Sequence, residues 1–383
     1  MHAAYPWRDG NQFRVLIDGE AFFPAFLAAI VQARRYIFLE MYLVESGVMA
    51  TRFIAALREA AARGVQVCLL FDAFGVRGLR DADRARLAAR GIAISYYNPW
   101  NMRHWRRYLL RDHRKLLIVD GEIAYLGGAG ITDDFWPGRK IPAWRDTMIE
   151  VRGACVADWV DVFQRTWRVW SRVELPTYIP ASGFTSGVWG RVTCVGGGIG
   201  QEIKHSLLNR VRGAERRVWL ATAYFVPPRR ILRALKKAAR SGVDVRLLLP
   251  GALTDHPAIR HAGRRYYQRL LRAHVRIFEY KPTFNHSKVA LCDDWVSIGS
   301  SNIDRWNLRW NLEGNQEVTG ANLVDEVVAM FAKDFSNAVE IEPAHWRSRP
   351  WWGRWRERFW GAVDLWLERL STRWKARQRG DDR

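Results

Sequence analysis

Cysteine is scarce in this chain, with four residues, Cys68, Cys155, Cys194 and Cys292, among 383. None forms a CxxC and no two lie close together, which argues against a disulfide framework or a zinc site and fits a reducing compartment. Cys68 and Cys292 sit inside apolar runs, where a thiol reads as a small buried hydrophobe. Long apolar runs are missing too. The longest, Ala21 to Val31, has 11 residues and contains Pro24, well short of the ~20 that a spanning helix needs. The opening MHAAYPWRDGNQF has no basic segment followed by an apolar one, so no secretory signal is expected. Any membrane contact should therefore be peripheral. Lysine is the third scarcity: only nine of the 60 basic residues are Lys.

Arginine, tryptophan and positive charge are plentiful. The formal net charge is +21, the isoelectric point is near 10.4, and there are 20 Trp. Such a surplus concerns partners and not the fold: nucleic acid, an anionic membrane surface or a phosphorylated substrate. Indole favours the headgroup region of a bilayer but also stacks on bases, so both polyanions stay open at this point. With 49% hydrophobic and 26% charged residues, the chain is globular, and its length predicts two domains.

The sequence is written twice. RRYIFLEMYLV at 34–44 matches RRVWLATAYFV at 216–226, an offset of 182. ALREAAARGVQVCLL at 56–70 matches ALKKAARSGVDVRLL at 234–248, an offset of 178, and 89–99 matches 272–282, an offset of 183. Each copy runs apolar stretch, Ala/Leu/Arg-rich helical stretch closed by Gly64 or Gly242, then a second apolar stretch. This predicts βαβ units and an α/β fold. The expected divisions are an N-terminal domain at 1–174, a Pro/Gly/Ser-rich linker at 175–187, a C-terminal domain at 188–346 and a tail at 347–383.

Each copy carries one chemical constellation. The first is His113-Arg114-Lys115, four apolar residues, Asp120, then Gly127-Gly128; the second is His286-Ser287-Lys288, Asp293, then Gly299-Ser300-Ser301-Asn302. LLIV and VALC after each Lys read as strands, so His and Lys at i and i+2 share a face. Two such faces around one pocket supply a nucleophile, a proton donor and cations for phosphoryl oxygens, the requirements of phosphodiester exchange. Both motif positions are Lys in a chain that otherwise prefers Arg. No carboxylate cluster with metal spacing accompanies them, so neither a metal nor a cofactor is expected.

At these residues the sequence resembles the phospholipase D superfamily. DHRKLLIVDGEIAYLGG with WRDT at 144–147, and HSKVALCDDWVSIGSSNID with NLEGN at 311–315, resemble B-type bacterial cardiolipin synthases over residues 5–345. The resemblance implies tandem phospholipase D-like domains, each a mixed sheet flanked by helices, with the active site between the halves. It also implies an enzyme held peripherally on the cytoplasmic side of the inner membrane. By position it makes His113 the nucleophile and His286 the acid and base. Lys115, Lys288, Ser300 and Asn302 would bind phosphate, while Asp146 and Glu313 would orient the imidazoles. Asp120 and Asp293 belong to the catalytic motif, although their place at a turn reads as structural. Two departures stand out: Gly130 occupies the position of an expected Asn, and the second motif has one residue fewer between Asp293 and Gly299.

Two segments remain. The insert at 100–112 mixes Arg103, Arg106, Arg107 and Arg111 with Trp100, Trp105 and Tyr108, and is expected to draw anionic headgroups to the pocket mouth. In the tail, Trp352, Trp355, Phe359, Val363, Trp366, Leu370 and Trp374 recur every three or four residues beside a net charge of +6. This is the pattern of an amphipathic helix lying on an anionic membrane. The leading reading is phosphatidyl transfer between phosphatidylglycerols to give cardiolipin. A phospholipase, a nuclease of the same superfamily and a non-catalytic membrane protein are the alternatives, nucleic acid being disfavoured. The oligomeric state is left open.

Overall fold

The structure is a computed structural model describing residues 4–88, 91–100, 110–138, 142–176, 183–196, 201–305, 307–308 and 310–349. Positions 101–109 of the insert, 177–182 of the linker and the tail beyond Arg349 lie outside the described residues.

The chain begins with β1 (Arg8–Ile17), α1 (Asp18–Gln32), β2 (Tyr36–Met41), α2 (Val48–Ala62) and β3 (Gln66–Asp72). There follow α3 (Asp81–Leu87), β4 (Ile92–Tyr97), β5 (Lys115–Val119), β6 (Ile123–Gly127), β7 (Thr147–Gly153) and α4 (Cys155–Trp170). Beyond 187 come β8 (Val188–Val195), α5 (Glu202–Gly213), β9 (Arg217–Ala221), β10 (Phe225–Val226), α6 (Arg229–Arg240) and β11 (Asp244–Pro250). Next are α7 (Pro257–Arg264), α8 (Tyr267–Leu271), β12 (Arg276–Tyr280), β13 (Val289–Cys292), β14 (Trp295–Gly299) and β15 (Ile303–Asp304). β16 (Glu313–Thr319), α9 (Ala321–Ser336), β17 (Ala338–Glu340) and α10 (Pro343–Arg347) complete the set.

Fifteen strands form one mixed sheet. From its centre outward, one wing runs β1-β7-β6-β5-β2-β3-β4 and the other β8-β16-β14-β13-β9-β11-β12-β17. Apart from terminal β17, the wings have the same order of equivalent strands, and they meet where β1 pairs antiparallel with β8. Within each wing the three outer βαβ strands are parallel, and the strands nearer the centre are antiparallel.

The ladders fix the equivalences. Gln66 and Asp244 open β3 and β11 at the expected offset of 178, and Cys68 pairs Ala93 as Arg246 pairs Arg276, giving 183. The remaining match is corrected by one residue. Ile37 faces Val119 and Val218 faces Cys292, so β2 and β9 are related by 181, not 182. Aligning the two Arg-Arg pairs by identity slips the strand by one, which would exchange its two faces.

Both faces of the central strands are covered, which explains their nearly unbroken apolar runs. In β2, Tyr36 and Phe38 join the core containing α4, while Ile37, Leu39 and Met41 join the core containing α1 and α2. β5 and β3 divide their side chains in the same alternating way. α4 and α9 share a single core under both wings, through Trp159, Phe163, Val327 and Phe331. Gly64 and Gly242 follow α2 and α6 with φ of 90° and 93°, the left-handed residue that ends a helix cheaply.

Candidate active site

Each motif histidine stands just before a strand and is laced to the opposite wing. His113 N–H donates to the Leu312 carbonyl at 2.9 Å, and Leu312 N–H returns a bond to Arg111. His286 N–H donates to the Arg145 carbonyl at 2.8 Å, while Arg145 N–H donates to Phe284. The residue after each of these partners is therefore a carboxylate placed at the histidine. Both oxygens of Glu313 lie 3.0–3.2 Å from His113 Nδ1. Asp146 Oδ2 lies 2.7 Å from His286 Nδ1. With each Nδ1 so engaged, Nε2 is the nitrogen left for chemistry.

The lysines share these surroundings. Lys115 Nζ donates to the His113 carbonyl at 2.6 Å, and Lys288 Nζ donates to that of His286. The Tyr42 ring meets the His113 ring at 4.8 Å and Lys115 Nζ at 5.1 Å, so the i and i+2 side chains do lie on one side. Ser300 Oγ donates to Glu313. Asn302 is fully buried, and its Oδ1 accepts from Thr222 at 3.3 Å. Its Nδ2 has no partner among the described residues. A buried donor without a partner is costly unless a ligand oxygen supplies one.

Burial and mutual repulsion set the protonation states. His113 is held well below its ordinary value by burial first, then by Lys115, Lys288 and His286. Burial and Lys288 lower His286 as well, but Asp146 opposes them through charge and a hydrogen bond. Lys115 falls to about 7 and Lys288 to about 8, in both cases chiefly through burial. Glu313 is pushed up to about 8 by burial, against the pull of Lys115. An oxyanion between the two lysines would favour their charged forms. Sulfate, whose own charge is constant here, is therefore expected to bind with proton uptake at pH 8. Its affinity should fall roughly tenfold per pH unit for each lysine that must regain its proton on binding. Calorimetry in two buffers of different ionisation heat measures this, and flat affinity from pH 6.5 to 9 would contradict it.

Two members of the motif lie elsewhere. The Asp120 carboxylate accepts from the backbone N–H groups of Arg34, Arg35 and Tyr36 at 2.7–2.9 Å. Asp293 does the same for Glu215, Arg216 and Arg217 at 2.8–2.9 Å. Both have positive φ and sit at the far end of β5 or β13 from the histidine. They anchor the strands, and the catalytic role expected of them does not fit this position. The residue missing from the second motif is a turn residue: β5 and β6 are joined by Asp120–Glu122, β13 and β14 by Asp293 and Asp294 alone.

Gly130 has its own explanation. A Cβ there would lie 2.7 Å from the Leu43 carbonyl oxygen and 2.9 Å from Leu43 Cβ. The equivalent position holds Asn302, but this wing has closed over the space. Gly130→Ala is expected to destabilise by ~1–3 kcal/mol, as overpacking does, seen as a lower denaturant midpoint at unchanged slope. An unchanged midpoint would contradict it.

Arg111 also departs from expectation. It is buried, 3.3 Å from Asp72, and so is part of the interior and not a headgroup-attracting residue. Positions 101–109, with the remaining Arg of the insert, lie outside the described residues. Trp144 and Arg145, beside Asp146 in WRDT, also serve the site, and their place in that motif is the signal for it. Trp144, Phe135 and Phe284 surround the His286 ring at 5.6–5.8 Å. Arg145 is clamped to Asp334 of α9 at 2.9 and 3.1 Å, which holds Asp146 in place. Glu40 and Arg114 form a buried pair behind His113, and a lone charge in the run YIFLEMYLV is the signal that could have revealed it.

The family model described as cardiolipin synthase, phospholipase D-like domain, matches residues 26–167 and 207–335. The chain belongs to this family. Among its relatives, cardiolipin synthase A of Pseudomonas aeruginosa is 34% identical over 349 residues, covering 90% of this chain and 71% of the relative. Cardiolipin synthase of Geobacillus kaustophilus is 33% identical over 354 residues, covering 90% and 70%. Both relatives are named as cardiolipin synthases. The fold also matches phosphatidylserine synthase of Haemophilus influenzae, with a TM-score of 0.71 at 13% identity over 97% of this chain and 96% of that one. In this chain the two His–Lys pairs meet at one site, and no described helix is long and apolar enough to cross a membrane.

Proposed function

We propose that this phosphatidyltransferase makes cardiolipin and glycerol from two phosphatidylglycerols through a phosphohistidine on His113. The observation that supports it best is the crossed arrangement, in which each imidazole is oriented by a carboxylate from the other wing and flanked by a lysine. His113 Nε2 attacks phosphorus, the bond to the glycerol oxygen breaks, and His286 gives that oxygen its proton. The acceptor hydroxyl then attacks the same phosphorus, His286 takes back a proton, and the P–N bond breaks. His113, the more strongly depressed histidine, suits the neutral nucleophile; His286, supported by Asp146, suits the proton carrier. Lys115, Lys288 and the free Nδ2 of Asn302 would hold the phosphoryl oxygens, with Ser300 bracing Glu313.

The aromatic wall of Trp144, Phe135 and Phe284 beside His286 limits the room for water there, which favours transfer over hydrolysis. The matching strand orders support a tandem duplication, with domains at 1–174 and 188–346 and the site between them. We further assign the Trp/Arg tail to a peripheral hold on an anionic leaflet at the cytoplasmic face of the inner membrane. In vesicles of phosphatidylglycerol, the purified protein is expected to produce equimolar cardiolipin and free glycerol. Phosphatidic acid as the main product would favour a phospholipase, and cleavage of plasmid instead of lipid would favour a nuclease.

A further inference from the structure

The site is asymmetric in a way the transfer reaction can use. Tyr42 is equivalent to Ala223, so no second tyrosine stands on the His286 side at that position. The next residue, Tyr224, leads into β10, which pairs with β15 directly after Asn302. Thr222 ties these together, donating to the Tyr224 carbonyl at 3.0 Å and to Asn302 Oδ1 at 3.3 Å. From there the Tyr224 hydroxyl donates to Asp255 Oδ2 at 2.5 Å. Asp255 lies on the loop between β11 and α7, with its side chain 22% exposed. His256 stands beside the pair, its ring 5.6 Å from that of Tyr224 and its Nε2 3.8 Å from Asp255.

We propose that Asp255, held by Tyr224, forms the acceptor subsite and grips the spare hydroxyl groups of a polyol. This rests on the transferase reading and names the acceptor's binding group. A phosphate site needs cations, and two lysines already supply them. A carboxylate at its edge would weaken phosphate binding, yet it is a strong acceptor for O–H donors. Tyr224 engages Oδ2, and Oδ1 accepts from Thr254 at a long 3.5 Å, so the carboxylate retains lone pairs for a ligand. The chain Asp255–Tyr224–Thr222–Asn302 ties it to the phosphate-binding end of the site, and its charge favours the protonated forms of His286 and Lys288. Glycerol carries hydroxyls beyond the one that reacts; a monohydric alcohol does not.

The test follows the exchange of labelled glycerol into phosphatidylglycerol vesicles, with methanol as the competing acceptor. Asp255→Asn is expected to lower the glycerol-to-methanol ratio by ~10–100-fold, the range for losing a hydrogen bond to a charged group. Loss of the charge near His286 and Lys288 bears on both acceptors alike and cancels in the ratio. Tyr224→Phe, which frees the carboxylate without removing it, should shift the ratio the same way by less. An active wild type with an unchanged ratio in Asp255→Asn, or with equal loss for both acceptors, would overturn this subsite alone. A wild type that forms no transfer product would overturn the transferase reading and the subsite with it.

Discussion

Replacing His113 by Ala is expected to remove phosphatidyl transfer by on the order of 10⁴-fold or more, because the covalent route then has no nucleophile. His286→Ala should cost ~10²–10⁴-fold, the range for a placed proton donor. Rates alone would not separate the two roles, but the leaving group does. With a p-nitrophenyl phosphodiester the departing phenolate is stable without a proton. His286→Ala should then still release a burst of p-nitrophenol matching the enzyme concentration, followed by slow turnover. His113→Ala should give no burst. A burst in His113→Ala and none in His286→Ala would exchange the roles. The asymmetry behind this expectation is local: Lys115, Lys288 and His286 all bear on His113, whereas Asp146 at 2.7 Å restores proton affinity to His286.

Much of this site could be read in the sequence because its chemistry is carried by rare residues at repeated spacing. Lys115 and Lys288 stand out against a background of Arg, and the repeat says that two copies must meet. What spacing could not supply was which wing each carboxylate serves. That follows from the backbone lacing at Leu312 and Arg145, which depends on how β1 and β8 join the wings. Asp120 and Asp293 mislead for a physical reason. A carboxylate that ties down three backbone N–H groups recurs in both copies just as a reactive one would. The error of one residue in aligning β2 with β9 has the opposite cause: identity of exposed Arg was matched where ladder register decides. Gly130 could be noticed in sequence, but its reason lies in the Leu43 carbonyl, which no local pattern reports.

Arg114→Met is expected to destabilise the protein by ~3–5 kcal/mol, the cost of breaking a buried ion pair by removing one partner. The guanidinium lies 2.9 Å from Glu40 and 3.4 Å from Asp112, and it donates to Thr166 at 2.7 Å. Glu40 has no exposed surface, and burial already holds its carboxyl well above the ordinary range despite Arg114. The pH dependence follows from that direction. A carboxyl raised on folding is neutral in both states below its unfolded value of 4.5, and it costs stability as pH rises toward the folded value. Without Arg114 the folded value climbs further, so the loss at pH 8 should be at least that at pH 5, growing only where pH passes the wild-type folded value. Guanidinium midpoints at the two pH values measure it; a loss below about 1 kcal/mol at pH 8 would contradict it. The other wing indicates the remedy. At the positions of Glu40, Asp112 and Arg114 it has Ala221, Asn285 and Ser287, and it builds the same strands with no charge there. Glu40→Leu combined with Arg114→Met should therefore recover most of the loss, since the pair is then removed together instead of being left half-made.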